Sequence, residues 1–298
     1  MTRAATPAPR ISVVAVFHNM RREAVRTLHS LTHAYQRDIA AGDYEVIAVD
    51  SGSTEPLDAS TVTGLGPDFR YIQWETSLPS PCGALNHGVQ LARAPLVVCL
   101  IDGARILSPC ILKYTLEAAS LHAHPFVYTF AMHLGSKPQY QSVEEGYNQE
   151  QEDTLLASVD WAQNGYRLFD ISSVAGSSGN GFFSQLHESN CFAMRRNDYV
   201  AIGGLDERFD TPGGGLANLD FFNRVHEHDA LRLFMLLGEA TFHQFHGGVA
   251  TNAPISRHPW NAMVQDYARI KGRPFDFAYR RPEYFGGWPS ECERFLKA

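Results

Sequence analysis

Three short, mostly apolar runs in the first third of the chain constrain its fold more than any other feature. They cover residues 11–17, 46–49 and 96–101 and are rich in valine and isoleucine. Apolar runs of this length are typical of strands that are buried on both faces. Segments with helical periodicity lie between them, and strands that alternate with helices at this spacing form right-handed βαβ units. The sequence therefore predicts an α/β fold with a mostly parallel sheet flanked by helices.

Two of the helical segments have informative beginnings. Apolar residues recur every three or four positions over residues 20–39, which predicts an amphipathic helix whose exposed side carries residues 21–23. A later helix is predicted to begin at Ser108 as N-cap, with Pro109 in the first helical position.

The length of 298 residues allows one large hydrophobic core with additions at both ends. The predicted parts are a disordered lead (1–10), a main domain (11–250) that consists of a nucleotide-binding half (11–133) and an acceptor half (134–250), an irregular insertion (136–186) in the second half, and a C-terminal extension (251–298) that packs on the core. A long irregular insertion in a compact domain is usually functional or mobile.

Composition excludes several classes of protein. The net charge of −7 gives no basic surface for a nucleic acid. No apolar run reaches the roughly 18 to 20 residues that a membrane span needs. Five scattered cysteines without a CxxC pair argue against a disulfide framework or a zinc ribbon. We therefore expect a cytoplasmic protein.

Polar residues follow the three apolar runs, namely Asn19, Asp50 and Asp102. In an open α/β sheet, ligands bind where the carboxyl ends of the strands meet, so these side chains predict a site at that edge. The alternative is that each acid only caps the next turn. Neither GxGxxG nor GxxxxGK[ST] is present, so a bound nucleotide would have to be held by side chains and a cation.

Five segments follow one another along the chain, namely VVAVFHN, YEVIAVDSGST, ALNHGVQLA, LIDGARILSP and AIGGLDERFDTPGGGLANLDFFNRV. In this order they resemble the nucleotide-sugar-dependent glycosyltransferases of the GT-A fold, in particular the inverting family 2. They stand where that family has its first strand, a VVDDGS-like strand end, an Asn-bearing helix, a DxD segment, and GGFDE followed by a Gly-rich loop and an ED helix. The resemblance covers residues 11–246.

The resemblance implies a donor site for a nucleoside diphosphate sugar, in particular a UDP-sugar. Asp50 would contact the base, with the backbone from Phe17 to Asn19 lining the same pocket, and Asn86 would face the donor. Asp102 would match the first acid of DxD and reach the ribose or a divalent cation, Mg²⁺ or Mn²⁺. Such a cation offsets the charge that the leaving diphosphate gains.

The sequence departs from the DxD pattern because Ala104 replaces the second acid. Arg105 could supply positive charge instead, and the small residues Gly103 and Ala104 are interpreted as room for the donor. A metal would then depend on a late histidine, His243 or His246, which such enzymes often carry. On a strand, i and i+3 side chains point to opposite faces, so one histidine is expected to be a ligand and the other a substrate or structural contact. Histidine favours Mn²⁺ over Mg²⁺.

A second departure concerns the base that takes the acceptor proton in inverting enzymes. Ala217 and Asn218 stand in the places of the ED acids, so the candidate substitutes are Asp220 and Glu188, with Asp206 as a third. The segment NLD also resembles ENLE of the polypeptide N-acetylgalactosaminyltransferases, which retain anomeric configuration and need no such base. Inversion is favoured, and retention is the alternative.

The remaining predictions concern the acceptor, which would be a hydroxyl of a sugar, a lipid or a small molecule. The loop TPGGGLAN is interpreted as a lid. The aromatic residues expected to line the acceptor pocket are Tyr147, Trp161 and Tyr166 of the insertion and those in the tail over residues 257–288. Two other functions stay open: a nucleotidyltransferase that uses Arg21 and Arg22, and a degenerate sugar-binding or nucleotide-binding protein.

Overall fold

In the computed structural model, which describes residues 8–179, 181–248 and 251–296, the three apolar runs form adjacent parallel strands. Strand β1 (Ile11–Phe17) lies between β2 (Tyr44–Ser51) and β4 (Leu96–Leu100), and β3 (Phe69–Trp74) extends the sheet beyond β2. All residues of β1, β2 and β4 are buried. The fold class predicted from these runs is confirmed.

The other described strands complete a single sheet in the order β10-β9-β6-β8-β4-β1-β2-β3, with β5 paired to β9 and β7 to β6. They are β5 (Arg105–Leu107), β6 (Pro125–Leu134), β7 (Ser172–Val174), β8 (Cys191–Arg195), β9 (Arg232–His243) and β10 (Glu283–Gly286). Strand β8 runs antiparallel between β4 and β6. As a result, the residues that precede β8 lie beside the carboxyl end of β4, where the backbone N–H of Ile101 donates to the carbonyl of Asn190.

Helices cover both faces of the sheet, and the hydrophobic core lies in two layers on either side of it. The described helices are α1 (Arg21–His29), α2 (Ala59–Thr63), α3 (Cys82–Gln90), α4 (Ile111–Ser120), α5 (Gln139–Ser142), α6 (Gln149–Ala157), α7 (Arg196–Ala201), α8 (Ala217–Glu227) and α9 (Trp260–Lys271). Short 3₁₀ turns connect several of them, including Gly165–Ile171 and Pro212–Gly214.

The first helix is shorter than the apolar periodicity predicts. It ends at His29, and turns continue to Gln36, although the apolar positions Leu31 and Tyr35 are still buried. The exposed side was also assigned wrongly at one position, because Glu23 is only 2% exposed. Its carboxylate accepts from Arg22 and from Gln149 of α6, so the insertion covers this part of α1.

The beginning of α4 is stabilised by a distant acid and not by an N-cap side chain. The helix follows Cys110, and Ser108 donates its hydroxyl to Glu239 instead of capping the helix. A bulge in β9 places Glu239 there, where its carboxylate also accepts from the Cys110 N–H and from the Tyr166 hydroxyl. The prediction of Ser108 as N-cap is therefore wrong, because a fully buried carboxylate takes over the helix N-terminus.

Glu239 gives a first testable prediction. Burial raises the pKa of Glu239 to about 7, so the folded protein favours the protonated form. Its contribution to stability is complete below about pH 4.5 and is lost as the pH rises through 7. Between pH 5 and pH 8, urea unfolding should show that the wild type loses about 2 to 3 kcal/mol relative to Glu239→Gln. The variant is the needed reference, because burial also raises the pKa of Glu152, to about 6. Parallel pH profiles for the two proteins would contradict this role.

The two ends of the main domain differ in how they meet the predictions. Residues 1–7 of the predicted lead lie outside the described residues. The C-terminal extension does more than pack on the core, because its strand β10 joins the sheet edge in parallel with β9.

The five cysteines are free thiols and all are buried. Within the described residues, no helix is both long and apolar enough to cross a membrane.

Candidate metal centre

Asp102 lies just beyond the carboxyl end of β4, at the predicted edge of the sheet. Its Oδ1 accepts from the backbone N–H of Ala104 at 3.0 Å, which fixes the carboxylate in a tight turn. The next residue is held equally firmly, since the N–H of Gly103 donates to the carbonyl of Val16 at 2.8 Å. The turn therefore gives the carboxylate one defined position.

The small residues after Asp102 serve packing against β1, and their interpretation as room for a donor is wrong. A Cβ atom on Gly103 would lie 2.4 Å from the ring of Phe17 and 2.5 Å from the carbonyl oxygen of Val16. Ala104, in the place of the second DxD acid, is fully buried in the core. A carboxylate at either position would have to be buried without solvent.

His243 and His246 both converge on Asp102. The Nε2 atom of His243 lies 3.0 Å from Asp102 Oδ2, and that of His246 lies 3.7 Å from Oδ1. The two Nε2 atoms are 3.2 Å apart. Strand β9 ends at His243, so the two histidines do not both lie on a strand and do not point to opposite faces as expected. Both are therefore placed to act as ligands, where one ligand and one substrate or structural contact were expected. Each of the three residues offers one ligand atom, and these atoms all lie within 4.8 Å of one another.

Hydrogen bonds from the insertion orient His243. The side-chain amide of Gln139, in α5, donates to the carbonyl of His243 at 3.0 Å, and its Oε1 accepts from Asn252 at 2.9 Å. Oε1 also lies 2.6 Å from His243 Nδ1, which must be the protonated ring nitrogen in this arrangement. The Nε2 lone pair therefore points at Asp102 and His246, as in a metal-bound histidine with its second shell.

The protonation states also suit a cation. Although burial acts to raise it, the neighbouring His246, His243 and Arg105 hold the pKa of Asp102 well below its ordinary value. Burial lowers the pKa of His243 to about 4, against the opposing effect of Asp102. At neutral pH the carboxylate is ionised and the buried imidazole is neutral, which are the forms that bind metals.

Gln139 gives a second testable prediction. Replacing Gln139 by Leu removes the acceptor that fixes the His243 tautomer, so calorimetry should show Mn²⁺ binding weakened by about ten to a hundredfold. Glu at this position keeps an acceptor for Nδ1–H and should retain most of the affinity. Gln141→Leu, an exposed change in the same helix, is the matched control. Equal Mn²⁺ affinity of Gln139→Leu and the wild type would show that Gln139 does not orient the ligand.

The insertion also holds the backbone between the two histidines. Glu152 of α6 is fully buried and accepts from the N–H of Phe245 at 2.6 Å. Arg22 of α1 pairs with Glu152 at 3.3 Å and with Asp153 at 2.6 Å. On the other side, Asn252 Oδ1 accepts from the backbone N–H groups of residues 246–248. The supporting residues Gln139, Glu152 and Asn252 were missed from the sequence.

Two further charged groups lie on the same side of the sheet. Arg105 of β5 pairs directly with His243 of β9, so their side chains share a face. Its Nε lies 3.6 Å from Asp102 Oδ2. Glu188 precedes β8, and its charge, with that of Asp102, acts to raise the pKa of Arg105 against the larger lowering by burial. Asn218 of α8, in the place of an ED acid, donates to Glu188 at 3.3 Å.

The two other candidates for the base, Asp220 and Asp206, are both held in ion pairs. Asp220 is 1% exposed, and its carboxylate oxygens pair with Arg224 at 2.9 Å and with Lys271 at 2.9 Å. Asp206 pairs with Arg208 and Lys271. Because the Asp220 carboxylate is buried and both of its oxygens are in ion pairs, the geometry does not support the prediction of Asp220 as the base.

Several predicted donor contacts have structural partners instead. The Asn86 amide accepts from Tyr199 and from the N–H of Leu205, and it donates to the Leu205 carbonyl and to Glu207. Its hydrogen-bonding groups are therefore occupied, which contradicts a side chain that faces the donor. The side chain of Phe17 is fully buried beneath Gly103, and the predicted role of the backbone from Phe17 to Asn19 in lining the donor pocket stays a prediction.

Asp50 and Asn19 lie together at the ends of β2 and β1. Asp50 is 1% exposed and accepts from the N–H of Leu57 at 2.7 Å, so it orders the loop after its strand. Asn19 has a φ of 54° and accepts from the N–H of Thr54 at 2.9 Å, which joins the two loops. Base contact by either residue stays a prediction.

The insertion aromatics pack against the protein and were wrongly assigned to the acceptor pocket. Trp161 contacts His29 and Tyr35, Tyr166 donates to Glu239, and Tyr147 packs on Phe245. Three tail aromatics are at least 38% exposed, namely Trp260, Phe277 and Tyr279. Two surface cavities lie elsewhere, one lined by Asn86 and Lys271 among others and one lined by Arg280 and Arg281 among others. Neither is lined by Asp102, His243 or His246.

Comparison with known proteins agrees with the fold. The sequence pattern described as glycosyl transferase family 2 matches residues 12–174. No curated protein is similar enough to match the chain. The crystal structure of S. aureus TarS has a TM-score of 0.54 at 13% identity, covering 90% of this chain and 40% of TarS.

Two shorter TarS structures are similar to the same extent. The structure of S. aureus TarS 1–349 has a TM-score of 0.50 at 12% identity, covering 79% of this chain and 60% of that one. The same fragment in complex with UDP has a TM-score of 0.50 at 14% identity, covering 75% and 57%. The chain therefore spans 40% to 60% of the length of these relatives, and the likeness is one of fold.

Proposed function

Because the chain belongs to glycosyl transferase family 2, we propose that it transfers a sugar, in particular a hexose, from a nucleoside diphosphate donor to a hydroxyl acceptor. The observation that carries the proposal is the convergence of Asp102, His243 and His246 at the carboxyl edge of the sheet. These three residues would hold a divalent cation. The cation would supply Lewis-acid stabilisation of the leaving diphosphate.

The proposed donor is a UDP-sugar and the proposed ion is Mn²⁺. Two imidazole nitrogens beside one carboxylate form a softer ligand set than the all-oxygen sets typical of Mg²⁺. The UDP complex of a TarS fragment with a similar fold supports a uridine nucleotide. Five free cysteines support a cytoplasmic location.

Glu188 is the proposed base of an inverting reaction. It lies beside the carboxyl end of β4, its carboxylate is oriented by Asn218, and it has no cation within salt-bridge distance among the described residues. A carboxylate in that position would accept the proton of the attacking hydroxyl. The acceptor would approach from the side of the exposed tail aromatics.

The contacts of Arg21 and Arg22 disfavour a nucleotidyltransferase. Arg21 pairs with Glu55 and donates to Pro56, and Arg22 is paired with acids of α6, so neither forms the free basic loop of such an enzyme. A degenerate binding protein with the same three ligands would bind donor and metal but release no nucleoside diphosphate, which the next experiment measures.

Slow donor hydrolysis tests the proposed function. The protein is incubated with UDP-, GDP- and dTDP-hexoses in Mn²⁺ or in EDTA, and release of the nucleoside diphosphate is measured. We expect release from a UDP-sugar that depends on Mn²⁺ and is absent in Asp102→Asn. Absence of release from every donor, or equal release by the variant, would contradict the proposal.

A further inference from the structure

Arg105 is a buried cation without a hydrogen-bond partner. It is 4% exposed, and its Nε and Nη1 atoms are buried and unpartnered among the described residues. The guanidinium carries five N–H donors and stays charged inside proteins. Arg105 has Asp102 as an ion-pair partner at 3.6 Å, but burying N–H donors that have no acceptor is costly, so these donors are available to a ligand that binds.

The neighbouring acids do not satisfy these donors. Asp102 Oδ2 lies 3.6 Å from Arg105 Nε, which is beyond hydrogen-bond distance. Glu188 acts on Arg105 only through its charge. Oδ2 of Asp102 thus lies 3.0 Å from His243 Nε2 and 3.6 Å from Arg105 Nε, so the guanidinium is next to the cluster of proposed metal ligands. A ligand that coordinates a metal held by Asp102, His243 and His246 would therefore also contact Arg105.

The N–H donors of Arg105 indicate which class of ligand would bind here. A guanidinium fork matches the oxygens of phosphate groups and binds them in a bidentate manner. Beside Asp102 this chain has no second DxD carboxylate, because Ala104 lies in the core, and it carries a positive charge at Arg105 instead. The site can therefore neutralise a diphosphate with two cations, one bound and one built into β5.

On the basis of the proposed function, we propose that Arg105 binds the diphosphate of the nucleotide donor together with the divalent cation. Two consequences follow from its charge. Part of the diphosphate affinity persists without metal, because the guanidinium remains in place. When no nucleotide is bound, the site binds a metal ion less tightly than it would without Arg105, because the guanidinium repels the ion.

Calorimetry on the full chain separates this role from a structural one. In EDTA, Arg105→Gln should bind UDP and inorganic pyrophosphate about ten to a hundredfold more weakly than the wild type. The same variant should bind Mn²⁺ alone several-fold more tightly. If Arg105 were merely structural, its replacement would weaken the binding of both pyrophosphate and Mn²⁺. Weaker pyrophosphate binding together with tighter Mn²⁺ binding therefore identifies the proposed role.

Arg105→Lys is the second variant, in case the Gln variant does not fold. It keeps the charge and loses the planar fork, so Mn²⁺ affinity should equal that of the wild type while pyrophosphate binds several-fold more weakly. Wild-type pyrophosphate affinity in EDTA for either folded variant, or weakened Mn²⁺ binding in Arg105→Gln, would overturn the assignment. If the wild type binds no UDP in EDTA or in Mn²⁺, the proposed function itself is wrong. If it binds UDP only with Mn²⁺, this inference alone is wrong.

Discussion

Replacing Asp102 by Asn is expected to weaken Mn²⁺ binding at least a hundredfold and to reduce sugar transfer about a thousandfold. Asp102 is the only carboxylate among the three converging ligands in the described residues. Without it, two neutral imidazoles would have to hold the ion, and the leaving diphosphate would lose several kcal/mol of stabilisation. Mn²⁺ titration of the protein without donor and transfer assays at saturating donor measure the two effects.

The matched control for Asp102→Asn is Asp50→Asn, the same change at the other strand-end acid. Asp50 accepts from the N–H groups of Leu57 and Ser53, so its replacement should cost about 1 to 2 kcal/mol of stability and leave Mn²⁺ affinity unchanged. In Asp102→Asn the amide oxygen can still accept from Ala104, so the fold should persist. Full Mn²⁺ affinity in Asp102→Asn would rule out the proposed ligand set.

Glu188→Gln is expected to reduce transfer to the acceptor by about a hundred to ten thousandfold, the usual contribution of a general base. Binding of UDP and of Mn²⁺ should stay within a few-fold of the wild type, since Glu188 is not among the ligands. Asn218→Ala should have a smaller effect in the same direction, because it removes the hydrogen bond that orients the carboxylate.

The control for Glu188 is Asp220→Asn, at the rejected candidate for the base. Breaking its pairs with Arg224 and Lys271 should lower the free energy of unfolding while leaving transfer by the folded protein nearly intact. The anomer of the product, measured by NMR, gives a second test. A retained configuration, together with full transfer in Glu188→Gln, would favour the retaining alternative.

The sequence predicted what depends on local pattern. The apolar runs predicted the central strands and the edge at which Asp102 stands. The late histidines were found from the family resemblance, although their joint convergence was not, because the end of β9 at His243 cannot be read from the sequence. Strand β10 was missed because its four residues, none of them fully buried, are a strand only through pairing with β9 earlier in the chain.

The supporting residues could not be predicted, for a different physical reason. Gln139 and Glu152 lie on short helices of the insertion, where a buried polar residue carries no periodic apolar signal. Asp220 and Asn86 were misassigned because the same side chains serve in ion pairs and loop contacts as in catalysis. Only their partners in space separate these roles, as Lys271 does for Asp220.

The three-way origin of the metal centre has a consequence for the newly made chain. Asp102 is synthesised first, Gln139 follows, and His243, His246 and Asn252 are added much later. Contacts between segments so far apart form late, after the entropy of closing long loops has been overcome. A nascent chain that has not passed residue 246 therefore lacks the ligand set, so the proposed ion site forms only after His246 has been made.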